Sequence, residues 1–118
     1  MNRILAAFRN SWNGLVHASR NEAAFRQEIG ALIIAVPLAM WLADRPLVFA
    51  LLVAPLLLLL VVELLNTGIE AICDGLSRDY MDEIKIAKDC GSAAVGLTMC
   101  LTGIIWLAII VQKFGFGS

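Results

Sequence analysis

Four polar side chains, Glu63, Asn66, Glu70 and Asp74, recur at steps of three and four residues along one segment of the chain. On an α-helix this spacing brings them onto a single face, with Glu63 and Glu70 roughly 10 Å apart along the axis. The segment continues an uncharged run, residues 47–62. A carboxylate at the end of such a run is costly unless it faces a partner, a metal ion or water. We therefore expect chemistry at these four residues, which we call the acidic stripe.

The residue types of the stripe favour a hard cation and an acid–base reaction. Carboxylates with no softer ligand nearby suit Mg²⁺, which proteins hold through one or two carboxylates together with substrate phosphates. Glu70 fits that role with Glu22, which falls at the same predicted membrane boundary. Glu63 lies deeper in the apolar run, where a carboxylate can act as a general base. Lys88 could balance the charge of a nucleotide phosphate. Because the sequence contains no Walker motif, such a nucleotide site would be unconventional.

The composition indicates which elements must position these residues. Hydrophobic residues make up 60% of the 118 residues, more than a small soluble domain can bury. The uncharged runs cover residues 29–43, 47–62 and 91–112. Only the third reaches by itself the roughly 20 residues that a spanning helix needs, but the first two can lengthen at one end. We predict one all-α integral membrane domain, 1–118, with transmembrane helices at 29–43, 47–74 and 89–112.

Residues 1–28 are predicted to form an amphipathic helix on the membrane surface. Their apolar residues recur at helical spacing opposite polar ones, and Trp12 would anchor the helix in the headgroup region. The alternative is a soluble cap helix. Charged residues occur throughout this stretch, which argues against a cleavable signal peptide.

Basic residues predict the orientation in the membrane. Four arginines precede the first run, and three basic residues separate the second run from the third, whereas the opposite side carries only Arg45 and Lys113. The positive-inside rule then places the N-terminus in the cytoplasm and the C-terminus outside. Three short spans leave little room for a buried polar site, so a homo-oligomer is expected.

Three segments carry a family resemblance. Residues 21–28 (NEAAFRQE), 62–70 (VELLNTGIE) and 87–94 (AKDCGSAA) closely resemble the signature segments of prokaryotic diacylglycerol kinase, and the similarity covers nearly the whole chain. The resemblance implies a homotrimeric enzyme of the bacterial inner membrane, with active sites shared between subunits and the C-terminus in the periplasm. It would transfer the γ-phosphoryl group of MgATP to the hydroxyl of diacylglycerol, giving phosphatidic acid. ATP, diacylglycerol and membrane lipid are the expected partners, and no nucleic acid is.

The resemblance also implies roles for individual residues. Glu63 would be the catalytic base, and Glu22 and Glu70 would hold the metal ion on ATP. The nucleotide site would contain Glu22 and Glu70 with Arg3, Asn10, Asp79, Tyr80, Met81, Lys88 and Asp89. The substrate site would contain Glu63 with Arg3, Ser11, Trp12, Ala24, Phe25, Arg26, Gln27, Glu28, Asn66 and Ser92. Two positions depart from the family pattern, since Asn10 stands where members often carry tyrosine and Met81 where they carry histidine.

Three alternatives stay open at this point. Glu22 and Arg26 are four residues apart and could form only a surface salt bridge. A related undecaprenol kinase would use the same catalytic residues on a polyprenol acceptor. A small proton-conducting or ion-conducting membrane protein would also explain glutamates in apolar helices, but it would leave Glu22, Lys88 and Asp89 without a role.

Overall fold

The computed structural model describes residues 2–76 and 82–115, and this part of the chain is helical almost throughout. It contains α1 (Asn2–Asn21), α2 (Ala23–Leu42), α3 (Pro46–Leu76) and α4 (Asp82–Phe114). The prediction of an all-α fold is confirmed. Three of these helices, α2, α3 and α4, are long and apolar enough to cross a membrane.

The first two helices meet at Glu22, earlier than the sequence analysis predicts. Glu22 has extended backbone angles (φ −115°, ψ 111°), which interrupt the helix between Asn21 and Ala23. The Arg26 guanidinium donates hydrogen bonds to the carbonyl oxygens of Ser19 and Arg20, each at 3.1 Å. These contacts satisfy carbonyl groups at the end of α1 that have no partner within the helix. A continuous helix over residues 1–28 is therefore wrong, because residues 23–28 belong to α2.

The last two helices extend beyond the predicted apolar runs. α3 has 31 residues and α4 has 33, which correspond to about 46 and 50 Å at 1.5 Å per residue. A hydrocarbon core is about 30 Å thick, so both helices continue past it. α4 begins at Asp82 rather than at residue 89, which adds about two turns before the predicted start of the helix. The polar residues at these ends of α3 and α4 are therefore part of the helices themselves.

A small core holds the three long helices together at the end away from the acidic stripe. Ala39, Leu42 and Leu52 form a buried cluster, against which Trp106 and Ile109 of α4 pack. The Trp106 indole donates a hydrogen bond to the carbonyl oxygen of Leu52 at 2.9 Å. This contact joins α4 to α3 within their apolar parts.

The turn between α2 and α3 contacts the C-terminal end of α4. The Lys113 ammonium donates to the carbonyl oxygen of Leu42 at 3.2 Å and lies 5.8 Å from the centre of the Trp41 ring, which stacks on Phe114. In the turn, the Arg45 guanidinium donates to Asp44, and this hydrogen bond lowers the pKa of the Asp44 carboxyl. The contacts fix where α2 ends and α3 begins.

Replacing Trp106 with phenylalanine is expected to weaken this core. The change keeps an aromatic ring but removes the hydrogen bond to Leu52, whose net contribution to stability is about 1 kcal/mol. The thermal inactivation temperature in detergent micelles should fall measurably. The matched control is Trp41→Phe, which keeps its ring stacking on Phe114 at an exposed position. Equal stability of the two variants would show that the Trp106 hydrogen bond does not contribute.

Most apolar side chains of the long helices are exposed in the single chain. Only 6% of the most apolar stretch of α4 is buried, and 22% of the corresponding stretches of α2 and α3. Large residues such as Ile33, Trp41 and Ile104 are among those exposed. Apolar surface on this scale requires lipid or another polypeptide to cover it.

Candidate active site

Two buried carboxyl groups lie side by side between α2 and α3. Glu28 is 7% exposed on α2, Glu63 is 5% exposed on α3, and the two side chains are close neighbours. Both oxygens of Glu28 and Oε2 of Glu63 have no hydrogen-bond partner among the residues that the structure describes. Buried carboxylates without partners are costly. This pair therefore requires a proton, a cation or a hydrogen-bond donor from another molecule.

The next residues of the acidic stripe are linked along α3. The Asn66 amide nitrogen donates to Oε1 of Glu70 at 3.3 Å, and the two residues are one helical turn apart. Asn66 is 9% exposed and Glu70 is half-buried. The amide oxygen of Asn66 is buried and has no partner in the described part of the chain. The stripe thus presents oxygen acceptors from Glu63 to Glu70, as the helical spacing predicts.

α4 contacts the stripe at two levels. At the deeper level, Gly91 is buried against the Asn66 side chain. Near the end of α3, the Lys88 ammonium lies 2.9 Å from an Asp74 carboxylate oxygen. Lys88 is predicted to face a nucleotide phosphate, and in the single chain its partner is Asp74. This pairing joins residues 14 positions apart, so only the packing of α3 on α4 reveals it.

Two other predicted residues of α4, Asp89 and Ser92, are exposed in the single chain. Asp89 accepts a hydrogen bond from Lys85 at 2.6 Å, one turn earlier on the same helix. Both side chains of this pair are exposed. No hydrogen bond or ion pair joins Asp89 or Ser92 to Glu63 within the part of the chain that the structure describes.

α1 contacts both α2 and α3 and forms an apolar groove with them. Trp12 of α1, Phe25 of α2 and Leu60 of α3 line a cavity of about 440 Å³. Phe25 is fully buried, whereas Trp12 is largely exposed. The structure thus brings together two predicted substrate residues from different helices. Leu60 precedes Glu63 by one turn of α3, so the groove runs close to the buried carboxyl pair.

The remaining predicted residues are scattered around this groove. Arg3, Asn10 and Ser11 are exposed on α1 and make no side-chain hydrogen bond or ion pair within residues 2–76 and 82–115. Arg26 caps α1 and forms no salt bridge with Glu22 in that part of the chain, although their spacing would allow one. On the first turns of α2, Ala24 is half-buried and Gln27 is exposed.

Glu22 and Glu70, the two predicted metal ligands, belong to different parts of the fold, the N-terminal end of α2 and the C-terminal half of α3. Glu22 is half-buried at the junction of α1 and α2, where its backbone N–H donates to the Ala18 carbonyl oxygen at 2.9 Å. No group of three His, Cys, Asp or Glu side chains that could hold a metal ion occurs within the described residues. The predicted nucleotide residues Asp79, Tyr80 and Met81 lie outside the described residues.

Residue types and spacing predict candidate residues of this site but not the contacts between its helices. Glu28 is predicted in the substrate site with Glu63, but the direct contact of their two carboxyl groups is visible only in the structure. No site role is predicted for Gly91, which the structure places against Asn66. The Asp74–Lys88 ion pair is not predicted either. The spacing along one helix gave no signal for any of these contacts between helices.

Comparison with known proteins gives a consistent result over nearly the full length. The sequence model of prokaryotic diacylglycerol kinase matches residues 9–110. The chain is 41% identical to a diacylglycerol kinase of Escherichia coli (strain K12) over 113 residues, which cover 96% of this chain and 93% of that protein. It is 39% identical to a diacylglycerol kinase of Pseudomonas aeruginosa over 94% of this chain and 90% of the relative. A diacylglycerol kinase of Haemophilus influenzae is 32% identical over 93% of each protein.

The matched residues include all three segments that carry the resemblance, all of α2 and α3, and most of α1 and α4. They confirm the relationship that the residues of those segments indicate. The chain belongs to the prokaryotic diacylglycerol kinase family.

Proposed function

We propose that this protein is a membrane lipid kinase that transfers the γ-phosphoryl group of ATP to the hydroxyl of diacylglycerol, giving phosphatidic acid. The near-full-length similarity to diacylglycerol kinases supports this activity. The structural observation that carries the proposal is the buried pair of Glu28 and Glu63, whose unpaired oxygens can accept a hydrogen bond from an alcohol. The apolar groove beside the pair suits the acyl chains of such an alcohol.

Glu63 is the proposed general base. Its carboxylate takes the proton of the acceptor hydroxyl as the oxygen forms a bond to the γ-phosphorus, and the bond from that phosphorus to the ADP oxygen breaks. Glu28 lies beside Glu63 and can share the proton that Glu63 receives. Removal of water from this buried position strengthens the electrostatic contacts of the reacting groups.

Glu22 and Glu70 are the proposed ligands of Mg²⁺ on ATP. The donor set fits a hard cation, because the Asn66 amide oxygen, which is buried and has no hydrogen-bond partner within the described residues, lies beside the Glu70 carboxylate as a further oxygen ligand. When bound with ATP, Mg²⁺ neutralises phosphate charge during transfer. Two carboxylates suffice if phosphate oxygens and water complete the coordination.

The nucleotide is proposed to lie at the polar ends of α3 and α4. Lys88 and Asp89 belong to this region, with Asp79, Tyr80 and Met81 in the connecting segment and Arg3 and Asn10 on α1. Because Lys88 already pairs with Asp74, a nucleotide phosphate would have to compete with that exposed carboxylate. Exposed ion pairs contribute little because solvent screens them, so the competition is weak.

The acceptor lipid is proposed to enter along the groove between α1 and α2. Trp12 and Phe25 would contact its apolar part, and Glu28, Glu63 and Asn66 would surround its hydroxyl. The other proposed contacts come from the exposed or half-buried residues of α1, the start of α2 and α4, namely Arg3, Ser11, Ala24, Arg26, Gln27 and Ser92.

The protein is proposed to work as a homotrimer in the bacterial inner membrane. The exposed apolar surface of α2, α3 and α4 supports both lipid contact and self-association. Subunits that share sites would also bring residues of neighbouring chains into one site, and Glu22 and Glu70 are candidates for this. α1 would lie on the cytoplasmic membrane surface, and the C-terminus would be periplasmic.

A single assay tests the activity. Purified protein in mixed micelles receives labelled ATP, Mg²⁺ and either diacylglycerol or undecaprenol. Labelled phosphatidic acid with diacylglycerol, and little product with undecaprenol, is the expected result. Preferential labelling of undecaprenol would assign a polyprenol acceptor, and no lipid product in either reaction would contradict a lipid kinase.

A further inference from the structure

We propose that Gly91 is a positioning residue that holds the Asn66 amide against Glu70. Gly91 is buried on α4 and faces the Asn66 side chain on α3. The contact is a feature of the fold, whereas its effect on catalysis rests on the proposed role of Glu70 as a metal ligand. Gly91 itself touches neither substrate nor reacting atoms.

The space at Gly91 is filled by the Asn66 amide. A β-carbon built on Gly91 would overlap Oδ1 of Asn66 and would lie 3.1 Å from its Cγ and 3.7 Å from its Cβ. Any larger residue at position 91 therefore forces the Asn66 side chain to move. The absence of a β-carbon is what allows the amide to occupy this place.

Movement of the amide would break a specific contact. The Asn66 amide nitrogen donates to Oε1 of Glu70 at 3.3 Å, whereas the amide oxygen has no described partner that would resist a rotation. A clash on the oxygen side would thus be relieved by turning the amide away from Glu70. The Glu70 carboxylate would then lose the donor that orients it.

Other glycines in the long helices lack this constraint. A β-carbon at Gly68 of α3, or at Gly96 or Gly103 of α4, would meet no atom within 4 Å in the single chain. Gly96 lies five residues from Gly91 on the same helix. Glycine-to-alanine changes also improve helix propensity by similar amounts at both positions. Gly96→Ala is therefore the matched control for Gly91→Ala.

A double-mutant cycle tests the proposal. The variants are Gly91→Ala, Gly96→Ala, Asn66→Ala and the double variant Gly91→Ala/Asn66→Ala, each assayed with diacylglycerol over a range of Mg²⁺ and ATP. Misplacement of a reacting group by about 1 Å can cost on the order of 100-fold in rate. We expect Gly91→Ala to lower kcat/KM for MgATP by about that factor and to raise the Mg²⁺ requirement, with Gly96→Ala close to the unmodified protein.

The double variant separates positioning from general packing. If Gly91 acts through Asn66, Gly91→Ala adds no loss of activity once Asn66 is alanine, and the thermal inactivation temperatures of the two Asn66→Ala proteins coincide. A Gly91→Ala protein that fails to fold while the double variant folds would give the same support. Additive losses, failure of both to fold, or equal activity of Gly91→Ala and Gly96→Ala would overturn the proposal.

Failure of the positioning role and failure of the proposed kinase function give different results. A lack of lipid phosphorylation by the unmodified protein would contradict the kinase. The contact would still be testable, because the coupling of positions 66 and 91 in thermal stability can be measured as loss of solubility on heating, without an activity assay.

Discussion

Glu63→Gln is expected to abolish phosphoryl transfer while leaving nucleotide binding intact. Glutamine keeps the size and polarity of the side chain but cannot take the proton of the acceptor hydroxyl. General base catalysis contributes about 100-fold to 10,000-fold, so kcat should fall within or beyond that range. Glu63 is buried below the level of Glu70, and ATP bound at the polar helix ends should not be disturbed. The measurements are the initial rate of phosphatidic acid formation and the affinity for MgATP by titration.

The control for Glu63→Gln is a buried polar residue that belongs to no proposed site. Thr98 is buried on α4, and its hydroxyl donates only within its own helix, to the Ala94 carbonyl oxygen at 2.8 Å. Thr98→Val removes this polar group at nearly constant volume and should retain activity. A Glu63→Gln protein with near-normal kcat would show that Glu63 is not the base, and Glu28 would then be the next residue to test.

Glu70→Ala is expected to raise the Mg²⁺ requirement steeply. Loss of even an outer-shell partner weakens metal binding by about 10-fold to 100-fold, and loss of a direct ligand should reach at least the upper value. High Mg²⁺ should restore part of the rate, because the phosphates of ATP still hold the ion. The rate is measured as a function of free Mg²⁺ at saturating ATP and diacylglycerol.

The comparison variant for Glu70→Ala is Glu83→Gln. Glu83 is an exposed carboxylate in the first turn of α4, at the same end of the bundle, and it has no assigned role in metal binding. Its loss removes the same charge from this region, so it reports the general electrostatic effect on Mg²⁺. The same Mg²⁺ dependence for both variants would remove Glu70 from the metal site.

The placement of Glu28 shows why the site could be predicted only in part. The types and spacing of Glu63, Asn66 and Glu70 required a helix with one polar face, and α3 has that face. Glu28 lies 35 residues before Glu63. The spacing of residues within α2 does not show which face of α3 Glu28 contacts. The contact between Glu28 and Glu63 therefore depends on how the two helices pack.

Glu22 illustrates the same limit at a helix boundary. The apolar periodicity of residues 1–28 favoured one continuous helix, but the backbone turns at Glu22 and Arg26 caps α1. The hydrogen bonds from the Arg26 guanidinium to two carbonyl groups form a tertiary contact between consecutive helices, and helix propensity does not predict such a contact. Composition did predict that α2, α3 and α4 would be long and apolar, because lipid-compatible helices need uninterrupted apolar runs.

The sequence by itself determined the helical class, the candidate membrane spans, the acidic stripe and the family, since these depend on composition and on order along the chain. Only the tertiary structure decided that Glu28 meets Glu63, that Lys88 meets Asp74 and that Asn66 occupies the space left by Gly91. The physical reason is that helical periodicity specifies which side chains share a face. The relative rotation and depth of two packed helices depend on the shapes of both surfaces at once.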